Sequence, residues 1–367
     1  MEPTPIQQPT KLHRIIAFLT EPRSAIIFAG LSTIAFGIVA LVPVMHYDAR
    51  EIPPELSPFV PSEASQFGQE TSLVKTEFYV DDFPVFDINA NNFNLVGYVW
   101  FTFDPNILPA KLMGEFSFEG GRLTEKTLVD SVLVGNLLRV KYRVVVNFSS
   151  NLDNHRFPLS DHRIFLILTN TSFTTKEVIF QSFLRDFTTN QGIDPEGWTL
   201  KSRSVTYGSE LASGEAAAAQ IETAYPRVVF DFAFKKPGLR EAVTIIIPMF
   251  LIYLIGIVAL IIRDSKDAPT ALTLAVGSIS GILAYRYVIE AVSPKSGYML
   301  ISDQLTLVFF VATFIVFLRC AYDAAMITRE EIDEEGAKSI SLDLINIFLF
   351  YGIQLGVIIA TFFIVTR

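Results

Sequence analysis

The chain contains little cysteine, histidine or charge. Cys320 is its only cysteine among 367 residues, so no disulfide forms within one chain and a water-exposed domain must be stabilised by its own core. Charged residues make up 18% of the sequence, below the roughly 25% of soluble domains. The formal net charge is −9 and no basic cluster is present, which argues against a nucleic-acid partner.

The sequence also lacks the motifs of common enzymes. It has no His-Glu-x-x-His, no phosphate-binding glycine loop and no serine elbow, so we predict neither enzymatic activity nor a cofactor. His155 and His162 lie near Asp153 and Asp161, but this irregular spacing does not match a metal motif. We therefore predict no metal site, while titration of these histidines would make the protein respond to protons.

Five long apolar runs stand out against this background: residues 25–45, 243–262, 269–292, 305–318 and 344–365. A helix of about 20 apolar residues, rising 1.5 Å per residue, spans a bilayer core of roughly 30 Å. The first run is too long for the apolar core of a signal peptide, about 7–15 residues. Because Lys11, Arg14 and Arg23 precede it, we expect an anchor helix with a cytoplasmic N-terminus.

Between the first two runs the pattern is that of β structure. Short β-branched and aromatic stretches at 94–103, 137–146, 163–168, 178–183 and 227–234 predict a β-sandwich. We thus expect a cytoplasmic segment 1–23, a transmembrane helix 24–46, a linker 47–72, a sandwich 73–240 and a four-helix transmembrane domain 241–367. This multi-pass protein, in contact with membrane lipid, is expected in the cell membrane (the inner membrane of a bacterium) with an extracellular or periplasmic sandwich.

The run 269–292 differs from the others in having small and polar residues on one helical face. Thr270, Thr273, Gly277, Ser280 and Ala284 recur every three or four residues. Such a face serves either close helix–helix packing or the lining of a water-filled path, which also explains the hydroxyls. We predict that it lines a pore.

Several segments, taken in order, resemble one known family. They are the tryptophan-bearing strand 96–101, the loop 153–161 with its Phe-Pro pair, Gly197–Trp198, the strand 227–239 leading to Ile247–Pro248, and the helix end 287–290 followed by 293–299. Together with the order of sandwich and four helices, they resemble the pentameric ligand-gated ion channels of prokaryotes. The resemblance covers roughly residues 73–365, and the first helix has no counterpart in that plan.

The resemblance implies a homopentamer that opens a pore for permeating ions when an unknown small molecule or proton binds. It implies acidic rings at Asp264 and Asp267, which favour cations. It also implies a gating interface of Phe157, Pro158, Asp161, Pro294, Lys295 and Tyr298. The ligand-binding candidates are Trp100, Trp198, Tyr207 and Tyr225, since aromatic residues bind cations and small polar ligands.

Two points stay open at the level of sequence. Trp100 is expected in the sandwich core rather than in a binding site, which makes Tyr225 the stronger ligand-binding candidate. Arg286 and Glu290 lie one helical turn apart and are expected to pair with each other or with neighbours. The alternative function is a non-conducting receptor or assembly scaffold of the same fold, in which the small-residue helix packs without water.

Overall fold

The computed structural model describes residues 21–41, 46–57, 71–195, 197–210, 224–236, 240–262, 267–329 and 335–367. The chain forms two compact units. A helical unit draws on Met1–His46, Asn154–Leu159 and Gly238–Arg367, and a β unit on Tyr47–Asp153 and Ser160–Pro237. Asp264, most of the predicted segment 1–23 and residues 58–70 of the predicted linker lie outside the described residues.

The β unit is built from two sheets. Its strands are β1 Leu56–Ser57, β2 Ser72–Asp87, β3 Asn92–Phe103, β4 Ser117–Glu119, β5 Gly121–Val134, β6 Leu137–Phe148, β7 His162–Thr169, β8 Val178–Gln181, β9 Phe187–Thr189, β10 Thr199–Glu210 and β11 Pro226–Lys235. One sheet has the order β1-β10-β11-β7-β4 and the other β5-β6-β3-β2-β8, with β9 paired to β2. One helical turn, Ala110–Met113, precedes β4.

Alternation along β3 explains how one face of its sheet is buried. Every second residue from Phe93 to Phe103 is buried and the residues between them are partly exposed, as a strand with one core face requires. Gly97 lies on the buried side, where an added Cβ would come within 2.5 Å of the Tyr79 carbonyl oxygen. Phenylalanines dominate the core, including Phe78 and Phe230, whose ring centroids are 4.7 Å apart.

Part of the segment predicted as a linker belongs instead to the β unit. Leu56 and Ser57 pair with the end of β10, and the Glu51 side chain is buried. Prolines at 53 and 54 suggested an extended linker, but Leu56 and Ser57, shortly after them, are paired in a sheet. The described strands run from residue 56 to residue 235.

The helical unit contains α1 Pro22–Leu41, α2 Arg240–Val258, α3 Ala268–Val292, α4 Ile301–Arg329 and α5 Glu335–Thr366, with a 3-10 turn Ala259–Ile261 after α2. All five helices contain segments long and apolar enough to cross a membrane. The prediction of a β-rich domain followed by apolar helices is therefore confirmed, and the chain is compatible with a membrane location.

The N-terminal helix α1 packs within this helical unit. The Phe36 ring stacks on Phe250 of α2 with centroids 4.0 Å apart. The Ser32 hydroxyl donates a hydrogen bond to the side-chain oxygen of Gln354 in α5, and both side chains are buried. Phe28 meets Tyr351 of α5 edge-on, with centroids 4.6 Å apart. Aromatic and polar contacts thus hold α1, which has no counterpart in the family that the sequence resembles, against α2 and α5.

Candidate functional site

One face of α3 is anchored against its neighbours. The side chains that it buries are Ala271, Ala275, Ser278, Ile282 and Ile289. The Ser278 hydroxyl donates a hydrogen bond to the Ile252 carbonyl oxygen of α2, 2.6 Å away. Gly281 lets the same two helices approach closely, because a Cβ there would lie 2.9 Å from the Ile252 side chain. These contacts fix the rotation of α3 about its axis.

The opposite face of α3 contains the predicted pore-lining residues. Thr270, Thr273, Gly277, Ser280 and Ala284 are all exposed in the single chain. The Thr273 hydroxyl donates a hydrogen bond to the Pro269 carbonyl oxygen at 2.7 Å, which leaves its oxygen available to accept another. The five residues therefore lie together on a surface that no other described helix of the same chain covers.

This exposed face continues beyond the last predicted residue to Tyr287 and Ala291. Tyr287 is 75% exposed and follows Thr273 and Ser280 at intervals of seven residues, so the three lie on one helical stripe. The spacing was visible in the sequence. Tyr287 was not among the predicted pore-lining residues, because that prediction rested on small side chains, whereas the stripe is defined by helical position. It is the bulkiest side chain on this face.

Besides its hydroxyls and small residues, α3 exposes Val276, Leu283, Val288 and Val292. The other four helices expose mainly large apolar side chains. Their large exposed side chains are aliphatic or aromatic: Ile26, Ile27, Leu31, Ile34 and Ile38 on α1; Ile247, Leu251, Ile255 and Val258 on α2; Leu307, Val311, Phe314, Ile315 and Leu318 on α4; and Ile345, Phe348, Leu355, Ile359, Phe362 and Phe363 on α5. Such faces suit lipid. Hydroxyls and small residues at regular spacing distinguish the exposed face of α3.

Acidic residues mark both ends of α3. Asp267 is exposed at its N-cap, and Glu290 is exposed near its C-terminal end. Asp264, the other predicted ring residue, lies outside the described residues. Arg286 pairs with Asp303 of α4 at 2.9 Å. Its observed partner is therefore on the neighbouring helix, which was one of the two possibilities expected from the sequence.

A second candidate site joins the loop Asn154–Leu159 to the connection between α3 and α4. The Tyr298 ring stacks on His155, with centroids 3.6 Å apart and planes 7° from parallel. The Asn154 N–H donates to the Tyr298 hydroxyl oxygen at 2.9 Å. The N–H groups of Ile301 and Ser302 donate to the carbonyl oxygens of His155 and Phe157, at 2.9 and 3.2 Å. The loop thus caps the start of α4.

Of the predicted gating residues, Phe157 and Tyr298 are in this arrangement. Phe157 is buried in the core of the helical unit. Pro158 and Pro294 are buried as well, and Lys295 is exposed. His155 was not singled out among the predicted gating residues, although the loop 154–161 to which it belongs was expected to meet residues 294–298.

Asp161 belongs to the β unit and has two hydrogen-bond donors there. One carboxylate oxygen accepts from the Lys236 N–H at 3.0 Å and the other from the Asp48 N–H at 3.1 Å. The side chain is buried. Asp161 therefore connects the start of β7, the end of β11 and the segment before β1.

The neighbouring His162 is bound by a carboxylate. Its Nδ1 lies 2.6 Å from a carboxylate oxygen of Glu51, and both side chains are almost fully buried. Glu51 also accepts hydrogen bonds from the N–H groups of Asp153 and Arg163, at 3.2 and 3.0 Å. Among the described residues, no group of histidine, cysteine and acidic side chains is arranged to bind a metal.

The four ligand-binding candidates do not come together within one chain. Trp100 is half-buried on the outer face of its sheet, where Lys141 Nζ lies 5.0 Å from its ring centroid. The expectation that Trp100 is a core residue is therefore wrong: the alternation of β3 directs it outwards. Tyr207 and Tyr225 flank the segment 211–223, which lies outside the described residues. Trp198, by contrast, is buried.

Trp198 borders a cavity of about 400 Å³ in the β unit. The cavity is lined by the end of β2 and the turn after it (residues 84–89), by Trp198 and by Lys236. The Lys236 ammonium lies 5.2 Å from the Trp198 ring centroid. Burial lowers the pKa of Lys236 from its ordinary 10.5 to about 8, because the charged form loses hydration.

No family model matches the chain, and no curated protein matches it.

Proposed function

We propose that the chain is a subunit of an ion channel of the pentameric ligand-gated type, with α3 lining the pore. One observation carries the proposal: α3 exposes a regular series of five hydroxyl-bearing or small residues, whereas none of the other four helices, among the side chains that the structure describes, exposes more than two such residues at that spacing. A hydroxyl gains nothing from facing lipid, where every polar group must find an internal partner. The Thr273 hydroxyl donates within its own helix, and in this proposal water on an axis shared by five subunits hydrogen-bonds to its remaining acceptor site and to the Ser280 hydroxyl.

Five copies of the stripe give the pore a defined profile. Thr273 and Ser280 contribute rings of hydroxyls that partly replace the hydration of an ion. Tyr287, the bulkiest residue of the stripe, forms the narrowest ring. Asp267 and Glu290 contribute negative charge at the two ends, while Asp303 neutralises Arg286. This distribution of charge favours cations.

Assembly of the sandwich domains is supported by the edge strand β5. Leu128, Val129, Val132, Leu133 and Val134 on it are all exposed. An edge strand with many exposed apolar residues is normally covered, because it otherwise pairs with other chains. In the proposed homopentamer the sandwich of the next subunit covers it.

Gating is proposed to pass through the loop 154–159. Its contacts with Tyr298, Ile301 and Ser302 fix the position of the α3–α4 connection. Displacement of the loop when a ligand binds therefore acts on the outer end of α3. In this proposal the sandwich is extracellular or periplasmic, the N-terminus is cytoplasmic and the ligand is a small molecule or a proton. Trp100, Tyr207 and Tyr225 are ligand-binding candidates at subunit boundaries.

Ion flux into proteoliposomes that contain the purified chain tests the proposal. We expect flux of monovalent cations and its loss in Ser280→Trp, because five indoles fill the axis. Leu307→Trp is the matched control: it places the same side chain on the exposed apolar face of α4 and should leave flux intact. Particle images should show fivefold rings.

Two outcomes would contradict the channel. Fivefold rings without flux under any tested ligand or pH would leave a non-conducting receptor or scaffold. Monomers in the images would exclude both functions.

A further inference from the structure

We propose that residues 47–57 form a strap through which movement at the end of β10 reaches α1 and, through α1, the helix α3. The strap follows α1 in the sequence and connects it to the β unit. The last step of this route rests on the proposed function, in which α3 lines the pore. The route gives a role to α1, which has no counterpart in the family that the sequence resembles.

Three contacts fasten the strap to the β unit. The Asp48 N–H donates a hydrogen bond to the buried Asp161 carboxylate. The buried Glu51 carboxylate lies 2.6 Å from His162 Nδ1 and also accepts from two main-chain N–H groups. The strand β1 pairs with the end of β10. Withdrawing Glu51 would leave buried donors without an acceptor, which costs free energy. The strap therefore moves with the β unit.

The strap meets β10 beside a ligand-binding candidate. Its strand β1 is paired with Ser209 and Glu210, and Tyr207 comes shortly before them in the same strand. Gly208 makes this pairing close, because an added Cβ there would lie 2.5 Å from the Ser57 carbonyl oxygen. A ligand that displaces this end of β10 therefore displaces the strap as well.

The helix α1 carries the movement into the helical unit. Residues 42–46 alone separate the end of α1 from the strap. The Phe36 ring of α1 stacks on Phe250 of α2, with centroids 4.0 Å apart. In the same helix α2, the Ile252 carbonyl oxygen accepts the hydrogen bond from the Ser278 hydroxyl of α3. A shift of α1 thus acts on the part of α2 that holds α3.

Cross-linking between α1 and α5 reads the far end of this route without any need for ion flux. In the full-length purified protein with Cys320→Ala, a short bifunctional thiol reagent joins the cysteines of Ser32→Cys and Gln354→Cys, two positions in contact. Gly208→Ala places a methyl group against the Ser57 carbonyl oxygen and so displaces the strap. We expect Gly208→Ala to slow cross-linking about fivefold or more, as in typical couplings between distant sites.

A matched control separates this effect from a general loss of stability. The Cβ of Gly97→Ala would also lie 2.5 Å from a main-chain carbonyl oxygen, that of Tyr79, but in the other sheet. It should leave the rate of cross-linking nearly unchanged. Glu51→Gln, which deprives the strap of one acceptor oxygen, is a second strap variant and should slow cross-linking as Gly208→Ala does.

An insertion of Gly-Ser-Gly after His46 lengthens the connection between α1 and the strap. Added to Gly208→Ala or to Glu51→Gln, it should restore the original rate, because the displaced strap then no longer pulls on α1. The strap is overturned if neither variant slows cross-linking, if Gly97→Ala slows it equally, or if the rate stays low after the insertion.

Ion flux into proteoliposomes tests the last step separately. In a chain that conducts, the insertion after His46 should change cation flux about fivefold or more, and an unchanged flux would overturn the role of the strap in gating. A wild-type chain without flux would contradict the channel itself, while the cross-linking rates still decide whether the strap moves α1.

Discussion

Replacing Asp161 by asparagine should destabilise the β unit far more than the same replacement at an exposed aspartate. The two carboxylate oxygens of Asp161 accept from different main-chain donors, Lys236 N–H at 3.0 Å and Asp48 N–H at 3.1 Å. Asparagine has nearly the same shape but only one acceptor oxygen. Its amide nitrogen must then face one of the two N–H groups, which leaves that buried donor without an acceptor.

The size of the effect follows from these contacts. A buried donor left without a partner costs about 1–3 kcal/mol, and the remaining hydrogen bond also loses the contribution of the charge. We therefore expect a loss of about 2–4 kcal/mol in the free energy of unfolding of the β unit. For a domain of 150–250 residues, each kcal/mol lowers the melting temperature by about 2–4 °C, so the expected decrease is about 5–15 °C.

Thermal unfolding followed by tryptophan fluorescence measures this decrease selectively, since both tryptophans, Trp100 and Trp198, lie in the β unit. Asp130→Asn is the control, because Asp130 is exposed and accepts only from the adjacent Ser131 N–H among its described hydrogen bonds. It should change the melting temperature by about 1 °C or less. Equal melting temperatures for the Asp161 and Asp130 variants would refute the assigned hydrogen bonds.

Two further predictions concern the β unit and α1. Since the pKa of Lys236 is about 8 in the folded chain against an ordinary 10.5, the unfolded chain binds more protons between these values, and the β unit should gain stability as pH rises from about 8 to 10.5. In Trp100→Phe, Trp198 emission should titrate near pH 8, and a midpoint near 10.5 would contradict the burial of Lys236. Ser32→Ala should lower stability in mixed detergent by about 1 kcal/mol, because Gln354 loses its donor. Adding Gln354→Leu should recover most of that loss, and additive losses would contradict the pairing.

Apolar length and local alternation made the main elements predictable. The run 269–292 became α3 Ala268–Val292, and the run 25–45 became α1 Pro22–Leu41. The fourth helix extends well beyond its apolar run, from Ile301 to Arg329, because charged residues continue a helix readily once its backbone is formed. Hydrophobicity therefore located the apolar part of each helix better than the helix ends.

Two contacts between distant parts of the sequence were not predictable from the local pattern. The pairing of Leu56–Ser57 with β10 depends on a neighbouring strand, and the Ser32–Gln354 hydrogen bond joins residues 322 positions apart. The Trp100 side chain was misassigned to the core because tryptophan is usually buried, although alternation along β3 decides which face it occupies. The spacing of small residues predicted the stripe on α3. Only the packing of the opposite face of α3 showed that no other described helix of the chain covers this stripe.

If α3 lines the pore, its exposed face borders water. Single cysteines at Thr273, Gly277 and Ser280, in a Cys320→Ala background, should react with a charged, membrane-impermeant thiol reagent and reduce cation flux. Cysteines at the buried Ala275 and Ser278 should stay unmodified. If the three exposed positions react no faster than the two buried ones under every ligand and pH condition, α3 does not line an aqueous path.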